Sequence, residues 1–214
     1  MLLEDENMND LYQYENELYD KGLKYIGGVD EVGRGPLIGP VVTACVVLPK
    51  DFKLEGLTDS KKLSEKKRES YYQYIIEHAT SYATALCTPE EIDELNIYEA
   101  SRVAMIRAID KVKQDIPLEH VLIDAMPMNI DIPTTSIIKG DAKSISIAAA
   151  SVVAKVTRDH MMYELDKEYP EYGFAKHKGY PTKKHIEAIH QYGLIDGYRK
   201  TYGPVKDVLH KQGI

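Results

Sequence analysis

The chain has 214 residues, 43% of them hydrophobic and 29% charged, which is enough for one sizeable core with at most a small appendage. No apolar run approaches the ~20 residues of a membrane span, and the N-terminus, MLLEDENMND, lacks the basic start and apolar stretch of a secretory signal, so a cytoplasmic protein without membrane contact is expected. The formal charge of -7 does not exclude a polyanionic partner, because residues 1–20 hold seven acids and no Lys or Arg, which leaves residues 21–214 neutral.

Residues 1–24 read as an acidic extension. Leu11 and Leu18 stand seven apart on one face of a short helix that Gly22 can close, and a loosely docked N-terminal helix is expected. Residues 25–214 form the domain that carries the chemistry. Its first stretch, residues 25–40 (YIGGVDEVGRGPLIGP), is an apolar strand running into two adjacent acids, Asp30 and Glu31, with Gly33, Arg34 and Gly35 directly after. Two neighbouring acids converge on one cation only where a strand ends and the second can turn back, and the glycines permit that turn. They also leave bare backbone where a ligand can approach, with Arg34 beside it for a phosphate. Gly28 and Gly33 stand five apart, but Arg34 and Gly35 replace the Lys and Ser/Thr of a P-loop, and Gly33, Gly35 and Gly39 miss the dinucleotide pattern by one residue. An isolated Asp-Glu pair is more often a surface turn, so its meaning depends on the rest of the chain.

Residues 41–48 (VVTACVVL) are a β-branched run typical of a strand covered on both faces, returning hairpin-like from the first. Cys45 and Cys87 sit in apolar contexts and read as small core residues of a reducing compartment. A helix is expected from near Ser64 to about Ala79, basic at its start, where Lys66, Lys67 and Arg68 join Lys61 and Lys62 in one cluster. A strand follows over 81–87, then Thr88, Pro89 and Glu91 in a capping box, and a helix over about 97–113.

Residues 120–124 (HVLID) repeat the opening theme, an apolar strand delivering one acid, Asp124; residues 136–141 (SIIKGD) do so again with Asp141. In an α/β sheet functional groups gather at strand ends, so this recurrence is the strongest signal in the residues themselves. A long helix over about 144–168 is small and apolar in its first half, with Ser151, Lys155 and Arg158 forming a polar stripe that reads as solvent-facing. Residues 173–182 (GFAKHKGYPT) read as an aromatic, basic loop, followed by helices over 183–191 and 205–211.

Several oxygen ligands without Cys or suitably spaced His favour a hard cation, Mg²⁺ or Mn²⁺, over zinc. Two such ions suit phosphodiester cleavage, and the glycine-bearing aromatic loop offers a way to inspect a sugar or base. The residues therefore point to a metal-dependent phosphoryl-transfer enzyme acting on nucleic acid.

DEVGRGPLIGPVV at 30–42, LTDSKKLS at 57–64, LIDA at 122–125, KGD at 139–141, AASVVAKVTRD at 149–159 and YGFAKHKGYPT at 172–182 resemble, in order, the motifs of bacterial type 2 ribonuclease H, ribonuclease HII. The match covers about residues 24–208, and an additional N-terminal domain of the ribonuclease HIII kind does not fit into residues 1–24. The resemblance implies a ribonuclease H-like α/β fold with a mixed five-stranded sheet flanked by helices, plus a helical C-terminal region. It implies a monomer that cuts the RNA strand of RNA·DNA hybrids and incises ribonucleotide-containing duplex DNA 5′ of a single ribonucleotide, leaving 3′-hydroxyl and 5′-phosphate ends. By position, Asp30, Glu31, Asp124 and Asp141 match the family carboxylates that hold two Mg²⁺ or Mn²⁺ ions. Gly33, Arg34 and Gly35 match the loop at the 2′-hydroxyl, and Tyr180 the tyrosine on the sugar. Ser60, Lys61, Ser151, Lys155 and Arg158 match phosphate contacts, and His177 is a candidate for phosphate binding or proton transfer. The competing readings are another metal nuclease of related architecture, such as a junction resolvase, and a non-catalytic hybrid-binding module.

Overall fold

One sheet of five strands, ordered β3-β2-β1-β4-β5, organises the molecule. The structure is a computed structural model and describes residues 11–57, 60 and 63–212. β1 (Ile26–Val32) pairs antiparallel with β2 (Val41–Val47), which pairs antiparallel with β3 (Ser81–Cys87). On the other side β1 pairs parallel with β4 (His120–Asp124), and β4 parallel with β5 (Thr134–Ile137). The mixed five-stranded sheet is the one expected. β2 returns directly from β1 and is buried along its whole length, as a β-branched run covered on both faces should be.

Alternation along β2 sends Ala44 and Val46 to one face and Cys45 and Val47 to the other. The first pair packs against Ala148, Ala149, Val152 and Val153 of α5 (Ile145–Glu168) and against Tyr71 and Ile75 of α2 (Glu65–His78). The second packs against Met105, Ala108, Ile109 and Val112 of α4 (Ile97–Asp115). Cys45 and Cys87 are buried free thiols. The small residues opening α5 let its backbone lie almost on the sheet: a Cβ on Gly28 would fall 2.1 Å from the Ser146 carbonyl carbon. No helix among the described residues is long and apolar enough to cross a membrane.

Three local expectations are corrected. Helix α1 (Gln13–Asp20) is firmly seated rather than loosely docked: Leu18 packs with Ile26, Leu122, Ile137 and Ile147. Glu15, fully buried, accepts from Ser144 Oγ (2.5 Å) and Ser146 N–H (3.0 Å) and so caps the first turn of α5. Burial pushes its carboxyl above the ordinary range, with these hydrogen bonds opposing the shift. The stretch before Asp141 does not stay strand to its end: β5 stops at Ile137 and Asp141 sits in a 3-10 turn, Gly140–Ala142. The loop over 173–182 contains a one-turn helix, α6 (Phe174–His177).

Beyond α6, α7 (Lys183–Tyr192) and α8 (Gly203–Gln212) complete the helical C-terminal region. Phe174, Ile189, Tyr198, Val205 and Val208 form a second core around Leu37 and Ile38, which lie on the β1–β2 connection. The C-terminal region is thus packed against the loop that follows the paired acids.

The α5–β1 approach predicts that Gly28→Ala destabilises the fold by about 3 kcal/mol, lowering Tm by roughly 6–12 °C, because the added methyl meets backbone that cannot rotate away. Gly203→Ala, where a Cβ meets nothing within 4 Å, should stay within about 0.5 kcal/mol in the same melts.

Candidate active site

The parallel register of β1 and β4 sets Val29 opposite Ile123, so the next residues, Asp30 and Asp124, stand side by side where that pairing stops; β1 itself does not end at the acids but runs on through Glu31 to Val32, paired with β2. Asp30 is 6% exposed and accepts from the Glu31 N–H (2.7 Å). Asp124 accepts from the Gly140 N–H (2.7 Å), which brings the 3-10 turn, and with it Asp141, against the end of β4. A Cβ at position 140 would meet Ile147 Cδ1 at 2.6 Å, so a larger residue there requires the Ile147 side chain to shift.

Burial raises the Asp30 carboxyl well above the carboxylate range, and the charges of Glu31 and Asp124 raise it further against hydrogen bonds from Ser151 and the Glu31 N–H. Glu31 is also raised, first by burial; Arg34, whose Nη1 lies 3.4 Å from Glu31 Oε1, opposes this and Asp124 adds to it. Among the described residues no three carboxylate, imidazole or thiol groups close on one ion position. Acids that hinder one another's ionisation stand near each other without closing, and buried oxygen donors of this kind fit a hard divalent cation.

Asp30 and Glu31 form one wall of a cleft of about 360 Å³, lined also by Ser60, Leu63, Arg68, Ser151, Lys155 and Tyr180. The Ser60 and Ser151 hydroxyls are 2.8 Å apart. Lys155 donates to Asp159 (2.5 Å), and burial lowers its pKa while Asp159 opposes the change. Arg68 donates to the Ser60 and Leu63 carbonyls (2.6 and 3.1 Å). The cleft is therefore lined by two cations as well as two acids, a distribution suited to a phosphodiester. Arg68 was visible in the sequence only as part of a basic helix start; its place follows from packing of α2 on α5. Lys61 lies outside the described residues.

Tyr180 is 40% exposed, and its ring stands 3.2 Å from where a Cβ on Gly35 would sit. Gly33 has φ +94, and a Cβ there would lie 2.3 Å from Arg158 Nε, so glycine is required at that position, while at Gly35 the approach of the ring is tight. The Arg34 side chain is 45% exposed and reaches toward Glu31.

Arg158 is not a phosphate contact. It is wholly buried and donates from Nε to the Pro40 carbonyl (3.0 Å), from Nη1 to Lys178 (3.0 Å) and from Nη2 to Ile38 (3.1 Å). The stripe of Ser151, Lys155 and Arg158 is not a free helix face: Ser151 and Lys155 line the cleft, and the loops after β1 and before α7 close over Arg158. Arg199, which the sequence did not single out, is its counterpart: fully buried, it donates to the Gly33, Arg34 and Gly39 carbonyls. His177 has both ring nitrogens committed to backbone, Nε2 to the Tyr172 carbonyl (2.8 Å) and Nδ1 to the Gly179 N–H (3.2 Å), and is available for neither phosphate nor proton transfer.

A chain whose Asp30 is harder to ionise folded than unfolded loses stability as pH rises above the ordinary aspartate pKa, and keeps losing it up to the raised folded value. Metal-free Asp30→Asn should therefore melt above the parent at pH 8, by about 2 °C or more, with the gap narrowing toward pH 4. A gap that widens on acidification would contradict this.

A family model described as Ribonuclease HII matches residues 27–202. The ribonuclease HII of Bacillus mycoides (strain KBAB4) is 55% identical over 208 residues, 97% of this chain and 80% of that protein. Among solved structures, ribonuclease H2 from Pyrococcus horikoshii OT3 superposes with a TM-score of 0.74 at 28% identity, covering 87% of this chain and 98% of that one. The ribonuclease HII of Archaeoglobus fulgidus, solved in complex with PCNA, gives 0.70 at 25% identity, covering 84% and 95%.

Proposed function

The chain belongs to the ribonuclease HII family, and from that membership we propose that Asp30, Glu31, Asp124 and Asp141 are the acids with which it cleaves the RNA strand of RNA·DNA hybrids. It is a metal-dependent endoribonuclease of ribonuclease H-like fold. In this reading it also incises duplex DNA on the 5′ side of a single embedded ribonucleotide, leaving 3′-hydroxyl and 5′-phosphate ends. The cofactor is Mg²⁺ or Mn²⁺, in keeping with an all-oxygen donor set. In this reading the chain acts as a monomer. The catalytic unit spans residues 25–214, braced by α1 through Glu15.

The observation that carries the reading is the β1–β4 register, which sets Asp30 beside Asp124 where that pairing stops, with Glu31 following on β1 and the turn of Asp141 tied to Asp124 through the Gly140 N–H. Ions bound by such acids would lower the pKa of water and stabilise charge on a leaving oxygen. The chain's own residues do the rest. Lys155 and Arg68 present positive charge to the phosphate from across the cleft. Gly33, Arg34 and Gly35 offer backbone to the 2′-hydroxyl, and the Tyr180 ring packs on the adjoining sugar. Only that hydroxyl separates a ribonucleotide from the DNA around it, and polar groups left unpaired against deoxyribose give large discrimination.

A labelled duplex carrying one ribonucleotide, incubated with Mg²⁺, with Mn²⁺ and with chelator, should be cut once, 5′ of the ribonucleotide, in the first two only. Cutting of branched, ribonucleotide-free DNA instead would overturn the substrate, and binding without cutting would overturn the activity. Asp124→Asn should reduce cleavage by at least about 10³-fold while Tm stays within a few degrees, since it removes a charge and little volume. Turnover at the parental rate would defeat the assignment of that acid.

A further inference from the structure

The main chain bearing Tyr180 is held from behind by two histidines. His177 and His185 stack with ring centroids 4.3 Å apart and 15° between the planes, and the Phe174 ring meets both edge-on. His185, wholly buried, donates from Nδ1 to the Tyr180 carbonyl (2.9 Å) and accepts at Nε2 from the Tyr198 hydroxyl (2.8 Å). His177 has the opposite tautomer, donating from Nε2 to the Tyr172 carbonyl (2.8 Å) and accepting at Nδ1 from the Gly179 N–H (3.2 Å). A carbonyl only accepts and an amide N–H only donates, so these partners select one neutral form of each ring. Burial acts in the same direction, lowering both pKa values, that of His185 to about 4.

The pair therefore grips the backbone on both sides of Tyr180. From the front, the Leu37 N–H donates to the Gly179 carbonyl (2.8 Å), tying the same turn to the chain just after Gly35. The backbone of Tyr180 is fixed while its ring faces the cleft.

We propose that His185, stacked on His177, is a positioning residue that sets the Tyr180 ring against Gly35, acting through the Tyr180 main chain without touching the substrate. The inference rests on Tyr180 packing on the sugar. It places ribonucleotide recognition under the control of a buried hydrogen bond on the far side of the turn.

Two substitutions of similar size separate the contacts of His185. His185→Gln keeps a polar atom near Tyr198 but none at the Nδ1 position, whereas His185→Asn keeps a donor for the Tyr180 carbonyl. On the single-ribonucleotide duplex, His185→Gln should lower kcat by about 10-fold or more with KM within about threefold, since misplacement acts on the bound geometry. His185→Asn should stay within about threefold of the parent. In a Tyr180→Ala background, His185→Gln should add less than about twofold. Equal kinetics of the Asn and Gln variants at matched Tm, or a full added loss in the Tyr180→Ala background, would overturn the positioning role alone. Parental kinetics of Tyr180→Ala itself would overturn the sugar-reading role, and the inference with it.

Discussion

Two buried arginines hold the working end of this molecule together. Arg158, from α5, and Arg199, from the segment before α8, direct their guanidinium N–H groups at the carbonyls of Gly33, Arg34, Ile38, Gly39, Pro40 and Lys178. A buried guanidinium is tolerated only when its donors are satisfied, and an irregular loop is tolerated in the interior only when its carbonyls are. Each requirement meets the other. Burial lowers the pKa of Arg158 to about 10, still well above neutral pH, so the clamp keeps its charge. Because the same fork reaches the connection after β1 and the turn before α7, the glycines at 33 and 35 and the ring of Tyr180 share one wall.

Opposite that wall the electrostatics are arranged around a shortage of positive charge. Besides burial, the charges of Glu31 and Asp124 raise Asp30 and that of Asp124 raises Glu31, and Arg34 is the cation that stands against Glu31. Farther along the cleft Lys155 and Arg68 are anchored, the first by Asp159 and the second by backbone carbonyls. The positive groups are thus held away from the acids by their own partners rather than collapsing onto them. A divalent ion and a phosphate fit that arrangement together better than either alone.

Some features were hidden because a side chain's role depends on what covers it. The i, i+4, i+7 stripe of Ser151, Lys155 and Arg158 has the pattern of a solvated helix face, yet its first two members line the cleft and the third is buried under loops that fold over α5. Glu15 belongs to a segment dense in acids, the usual mark of a solvated extension, but its carboxylate finishes the first turn of α5. His177 lies in a basic, glycine-bearing loop where a phosphate ligand is plausible, and both of its nitrogens serve that loop's own backbone. The first two cases turn on contacts between residues separated by many positions in the chain, the third on backbone partners two and five residues away.

What the amino-acid sequence determined by itself is the set of local periods and stops. Short apolar runs leading to Asp30 and Asp124, the capping box at Thr88 and the small, apolar opening of α5 were all readable, since they depend on neighbours within a few residues. The place of each strand along the chain followed, whereas the mixed five-stranded sheet was implied by the family resemblance. Only the tertiary structure decided which ends meet, which of the basic residues face the cleft, and which are consumed in holding backbone. The physical reason is that a guanidinium or imidazole has the same sequence signature whether it reaches solvent, a ligand or a buried carbonyl, and only the burial and hydrogen-bond partners supplied by distant segments distinguish these cases.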